Sequence, residues 1–292
     1  MRKVAIINQK GGVGKTTTAV NLGAALARAG QRVLLIDLDP QAHLTMHTGL
    51  EPTSQTPGTY DMLVQSLPVE RAKHPVSEGL EVVPSHIDLA AAEIELVGVV
   101  GREVILRDIL RSSGSEWDFV LMDCPPSLGV LTLNGLTAAD EVFIPLQPHF
   151  LALQGMGKLL ETVQLVRQRI SPDVLVSGIV LCMFESGTRL AAEVVEEVES
   201  FVRAARQQPV PWRDARVFHT RIRRNIKLAE CPSHGKSIFS YDAGSNGARD
   251  YAALAQEVLA MVEPSTEASL PGPADESISP AACTGAATDP EP

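Results

Sequence analysis

The chain has 292 residues and a formal net charge of −10, with 45% hydrophobic and only 4% aromatic residues. That length suits one large α/β domain or two small ones with a mostly aliphatic core, and the total charge argues against a plain nucleic-acid binder. No apolar run reaches the roughly 18 residues of a membrane span. The four cysteines are scattered with no Cys-x-x-Cys pair, which argues against a disulfide or metal framework.

In chain order, strands are expected over residues 3–8, 32–37, 80–84, 118–123, 141–146 and 175–181. These are near-continuous Val/Ile/Leu runs, the pattern of strands buried on both faces of a parallel sheet. Helices are expected between them, over 15–29, 88–96, 101–112, 129–138, 153–170 and 189–205, with a last one over 246–262. Such alternation predicts an α/β fold: a doubly wound, mostly parallel sheet flanked by helices. Residues 1–262 then form one domain. Residues 263–292 carry six acids and no Lys or Arg in a Pro/Ala/Ser-rich context, so a disordered tail is expected there. The chain opens on a charged pair and a strand rather than a signal peptide, and a reduced, cytoplasmic protein is expected.

The first strand runs into NQKGGVGKTTT, with Lys10 and Lys15 bracketing Gly11, Gly12, Val13 and Gly14. Glycines let the backbone fold into a nest of N–H groups around an anion, and the following helix adds its positive end. Lys15 is expected at the β- and γ-phosphates, the Thr16 hydroxyl at Mg²⁺ and Thr17 at the α-phosphate. The plainer reading is a Gly-rich turn without a ligand. Asp123 ends the fourth expected strand, at the sheet edge where ligands bind, and is expected to hold Mg²⁺ through a water; a helix N-cap or a turn Asp is the alternative. Asp37 and Asp39 end the second strand and lie on one face. Asp39, nearer the loop, is the candidate for positioning the attacking water. Asp37 is a candidate for ordering the metal shell or the phosphate loop, with a structural role as the alternative. Met183, past the strand 175–181, is a candidate for the adenine edge or for the core.

Charge is uneven. Between Arg203 and Lys227 there are eight basic residues against the single acid Asp214. Arg221, Arg223, Arg224 and Lys227 crowd together just before or within a short helix. They read either as an anion-binding patch or as a solvated basic face paired with nearby acids. Residues 206–218, with Trp212 and two prolines, suit either the adenine or a partner surface.

The segments KGGVGKTT, VLLIDLDPQ, DFVLMDCPPSLG and RRNIKLAECPSHGKSI occur in an order that resembles the ParA/Soj-type partition ATPases, of the deviant Walker A class. HIDLAAAEIELV over 86–97 also fits that pattern; the tail does not. The resemblance implies an ATP- and Mg²⁺-dependent ATP hydrolase, slow by itself, in which Lys10 crosses to the phosphates of a partner subunit's ATP. The spacing agrees: a lysine five residues before Lys15 crowds it if it turns back onto the same γ-phosphate; the plainer reading of Lys10 is a solvated surface lysine. Lys10, Lys15 and Asp39 are thus the expected catalytic set.

A homodimer is implied, bound without sequence preference to double-stranded DNA of the nucleoid, and released when a ParB-like centromere-binding protein stimulates hydrolysis. The resemblance places DNA contacts at Arg224, then Arg223 and Lys227, with Arg221 and Arg189 joining the patch. Two copies on one face double the phosphate contacts and steepen the salt dependence. Two departures stand out. Arg223 replaces a usual proline, and DPQAH replaces DPQGN, putting Ala42 at a glycine position. Without a preceding DNA-reading motif, the chain resembles the short, often chromosomal branch, with either a chromosome or a plasmid as cargo. Rival readings are a MinD-like positioning ATPase, which needs a basic amphipathic C-terminal helix, and a nucleotide-gated scaffold that does not turn over.

Overall fold

The computed structural model describes residues 1–261 except 115, 150, 151 and 188. The expected tail lies outside the described residues. The strands are β1 (Arg2–Ile6), β2 (Val33–Asp37), β3 (His74–Ser77), β4 (Leu80–Val83), β5 (Phe119–Asp123), β6 (Glu141–Leu146), β7 (Leu175–Leu181) and β8 (Arg216–Val217). They form one sheet in the order β3-β4-β2-β5-β1-β6-β7-β8. Every pairing is parallel except the β3–β4 hairpin at one edge.

The six apolar runs expected as strands are β1, β2 and β4–β7, and β2 and β5 are buried at all five positions. Burying one such Leu or Ile contributes about 1.5–3 kcal/mol, which is why these runs settle in the middle. The edges β3 and β8 read HPVS and RV. They are short and half-polar, as edge strands are, and have no apolar run to betray them.

Helices cover both faces. They are α1 (Lys15–Arg28), α2 (His43–His47), α3 (Thr59–Gln65), α4 (Val69–Ala72), α5 (Leu89–Glu95), α6 (Ile105–Ser112), α7 (Val130–Ala138), α8 (Ala152–Arg169), α9 (Arg189–Ala205), α10 (Ile226–Glu230), α11 (Ile238–Tyr241) and α12 (Asn246–Leu259). One core cluster lies under α3–α9, with Leu34, Ile36, Val120 and Met122 pointing into it. The other lies under α1 and α12, fed by Leu35, Leu121 and Tyr251. Successive strand residues thus supply opposite layers. Helix α6 starts four residues later than expected, because Gly101 is left-handed (φ 76) and its carbonyl accepts from Val104 N–H in a turn.

Trp212 does not border the cleft described next, so it is not placed over an adenine there. It packs against the α3–α9 core, and the carbonyl of the preceding Pro211 accepts from Val176 N–H at the start of β7 (3.0 Å). That is the sheet edge opposite the cleft described next. No described helix is long and apolar enough to cross a membrane.

Candidate nucleotide site

The parallel strands end on one sheet edge, and the loops leaving β1, β2, β5 and β7 meet there. They border a cleft of about 1010 Å³ lined by Gly11, Gly12, Gly14, Lys15, Thr16 and Thr17 on one side. Asp39 and His43 close the second side, and Met183 and the 222–226 segment the third. A crevice at the carboxyl ends of the strands is where open α/β sheets hold ligands.

Gly12 (φ 72) and Gly14 (φ 97) are both left-handed, a conformation that side chains resist. Gly14 directly precedes α1, whose first turn has no side-chain cap. Uncapped N–H groups and the helix dipole make this end an anion site. Val13 is 2% exposed, so its side chain serves the core and only its backbone serves the loop. Lys15 is 8% exposed and donates to Lys10 O (3.3 Å). Burial lowers its pKa, against the opposing pull of Asp123 and Asp39.

Asp123 is not a helix cap, since α7 starts at Val130 behind Gly129. It is 1% exposed, and its Oδ2 accepts from Thr16 Oγ1 (2.7 Å). Its other oxygen is buried without a partner. Burial, then the adjacent Asp37, drives its pKa well above the usual carboxylate range. Asp37 and Asp123 are register neighbours on β2 and β5. A hydroxyl, an orphaned carboxylate oxygen and excess negative charge suit a hard divalent cation such as Mg²⁺. Among the described residues no group of three or more His, Cys, Asp or Glu forms a metal cluster, so such an ion needs oxygens from a ligand as well.

Asp37 is fully buried, and both its oxygens are engaged by protein. Oδ1 accepts from Asp39 N–H (3.1 Å), and Oδ2 from Thr45 N–H (2.9 Å) and Thr45 Oγ1 (2.7 Å). Burial still pushes its pKa up to about 7. Its hydrogen bonds fold the loop that presents Asp39, whose Oδ1 takes only Gln41 N–H (2.9 Å) in that loop and whose side chain lines the cleft. Ala42 adopts the left-handed conformation (φ 53, ψ 31) a glycine would take there. Met183 is left-handed too (φ 50) and stands in the cleft wall, outside both core clusters.

Lys10 is exposed and meets His149 Nε2 of the loop after β6. Nothing local signals that partner, which lies 139 residues away. Arg221, Arg223 and Arg224 lie at the outer sheet edge, where Arg223 bridges to Phe184 beyond β7, and Lys227 follows on α10. Each has a partner. Arg223 pairs with Asp250 (2.5 Å), Arg224 with Glu185 (2.8 Å), and Lys227 with Glu230 (3.0 Å). Arg221 lies over the Phe184 ring (4.6 Å to its centroid), and Arg189, at the start of α9, pairs with Glu193 (2.9 Å). Arg223 and Arg224 also border the cleft, as does Asn225, which the sequence did not single out.

Residues 1–176 match the family model described as an AAA domain. The chain is 46% identical over 258 residues to the sporulation initiation inhibitor protein Soj of Bacillus subtilis (strain 168), covering 88% of this chain and 98% of that protein. It is 44% identical over 261 residues to the chromosome-partitioning ATPase Soj of Treponema pallidum (strain Nichols), covering 89% and 97%. Among solved structures it resembles a cobyrinic acid a,c-diamide synthase from Mycobacterium smegmatis holding an ATP analogue and magnesium, at 37% identity and a TM-score of 0.73, covering 89% and 94%. Sequence similarity over nearly the whole described chain and the P-loop architecture lead to one assignment: the chain belongs to the ParA/Soj family of chromosome-partitioning ATPases.

Proposed function

We propose that the protein is a Mg²⁺-dependent ATPase whose ATP form is a homodimer that binds double-stranded DNA without sequence preference. Hydrolysis, stimulated by a ParB-like partner, releases it, and repeated cycles on the cytoplasmic nucleoid position a chromosome or plasmid copy. The carrying observation is the contrast in burial between two lysines. Lys15 is buried beside Asp123, whereas Lys10 is exposed on the rim and turned toward His149.

A buried lysine serves the triphosphate of its own protomer. A rim lysine is free to serve that of a second copy, so the γ-phosphate becomes part of an interface and hydrolysis removes the bias toward the dimer. Lys15 and the α1 N-terminus hold phosphates, and Thr16 with Asp123 holds Mg²⁺. The ion, when bound, neutralises charge that develops on the transferred phosphoryl group. Asp39, on the loop braced by Asp37, orients the attacking water. The bound magnesium and ATP analogue in the Mycobacterium smegmatis relative support this ligand set. DNA contact falls to the basic edge, whose exposed ion pairs are weak enough to exchange for phosphates.

The test is size-exclusion chromatography and DNA binding of the wild type and Asp39→Ala, each with ATP and with ADP. The reading expects an ATP-dependent dimer, a DNA complex that persists in Asp39→Ala, and a loss of turnover on the order of 10²–10⁴-fold in that variant. A chain that stays monomeric with saturating Mg-ATP, even with turnover blocked, would falsify it.

A further inference from the structure

The segment from Arg216 to Arg224 forms the outer margin of the sheet. Its inner side is paired: Phe218 N–H donates to Ile179 O (3.0 Å), Ile222 N–H to Leu181 O (2.8 Å) and Arg224 N–H to Phe184 O (3.2 Å). An edge leaves the N–H groups of its other side open. Here two carboxylates of α12, seven residues apart on one helix face, take them. Glu257 accepts from His219 N–H (2.9 Å) and Thr220 N–H (2.6 Å). Asp250 accepts from Arg223 N–H (3.0 Å), from Arg223 Nε (3.0 Å) and from Arg223 Nη2 (2.5 Å).

This pair differs in kind from its neighbours. The Asp250 side chain is 8% exposed, against 52% for Glu185 opposite Arg224 and 37% for Glu230 opposite Lys227. Exposed pairs contribute little and open readily. A buried carboxylate holding a backbone N–H and a guanidinium fork does not, because opening it strands a charge. The next residue, Tyr251, is 1% exposed and meets Thr18 of α1 (3.2 Å between hydroxyl oxygens). Asp250 therefore stands on a part of α12 already fixed to the phosphate-loop helix. Arg223 gives both its backbone N–H and its guanidinium to Asp250.

We propose that Asp250 is a positioning residue for the DNA-binding edge: it cancels the charge of Arg223 and pins the turn, so that Arg224 is the arginine presented to phosphate. This rests on the DNA reading above and gives Arg223 a different role from the one its sequence suggests.

The test measures binding of the full chain with ATP to a non-specific DNA duplex across a salt series. Asp250→Asn still offers an oxygen to Arg223 N–H but no charge, so a dimer gains two free guanidinium groups. Binding at low salt tightens, and the slope of log K against log salt steepens by about 1.8. The double variant Asp250→Asn/Arg223→Gln restores the wild-type slope. Arg224→Gln alone flattens the slope. An unchanged slope or weaker binding in Asp250→Asn overturns the proposal, as does a double variant whose slope stays steeper than that of the wild type. A wild type that shows no ATP-dependent DNA binding removes the DNA reading first and this proposal with it, a result distinct from any of the variant outcomes.

Discussion

The nucleotide face and the basic edge share a cleft wall yet handle charge in opposite ways. On the nucleotide face two carboxylates, Asp37 and Asp123, are buried side by side on neighbouring strands. Lys15 is the cation beside them, and one Asp123 oxygen has no partner. On the edge, each of the basic residues already has an acidic or aromatic neighbour, and most of those pairs are half exposed. Buried, uncompensated charge is costly, so the first region suits the proposed ligand that brings a cation. Exposed, compensated charge costs little, so the second region is complete alone and can trade its acids for phosphates. The energetics of the pair suit a cycle in which nucleotide is the demanding ligand and DNA the exchangeable one.

The largest expected effect separates the two regions. Arg224→Glu reverses a charge whose side chain is 76% exposed and leaves the phosphate loop untouched. ATP-driven dimerisation is expected to persist, while DNA elutes at lower salt and affinity near 100 mM salt drops on the order of a hundredfold, since each dimer loses at least two phosphate contacts. Measured by chromatography and a salt titration, normal DNA binding in this variant would show that the two regions are not divided as described.

How much of this the sequence reveals depends on distance along the chain. The glycine-rich loop is legible because Lys10 to Thr17 lie within eight residues, and Asp39 and Asp123 lie at or just past the ends of obvious strands. The basic cluster is legible as composition, but its chemistry is not. Asp250 lies 27 residues from Arg223, and Glu185 lies 39 from Arg224. Only the β7–β8 pairing and the return of α12 bring them together. The role of Asp37 is half legible. The sequence offers a metal-shell role and a structural one side by side, and the hydrogen bonds from Thr45, eight residues on, show it bracing the loop of Asp39.

The seam between the regions provides a smaller effect. His47 of α2 is 1% exposed and meets Cys231 Sγ (3.4 Å), just past α10, so it joins the Asp39 loop to the basic edge. Burial lowers its pKa from an ordinary 6.5 to about 4. The folded state therefore binds fewer protons than the unfolded state between these values. The contribution of His47 to stability is full above about pH 6.5 and falls as the pH drops toward 4, by about 2 kcal/mol between pH 7 and pH 5. Burial of Asp37, whose pKa is raised to about 7, works in the opposite direction over the same range, so the effect is read as the difference between wild type and His47→Gln in urea unfolding at both pH values. An equal pH dependence in the variant would mean the seam is not held by a neutral imidazole.

The smallest effect probes the loop itself. Ala42 is left-handed, which costs a non-glycine residue about 1–2 kcal/mol. Ala42→Gly relieves that strain but gives up a buried methyl, worth about 0.8 kcal/mol, and adds unfolded-chain freedom, worth about 0.4–1 kcal/mol. These terms nearly cancel, so stability should stay within about 0.5 kcal/mol of wild type. The rate should not stay the same. Ala42 N–H donates to Asp39 O (2.9 Å) in the turn that aims the Asp39 carboxylate, and a glycine lets that turn sample other conformations. Basal ATP turnover is expected to fall a few-fold with nucleotide affinity unchanged. If single-turnover hydrolysis matches wild type, the stiffness of this loop has no part in placing Asp39, and the nucleotide face owes its geometry to the brace at Asp37 alone.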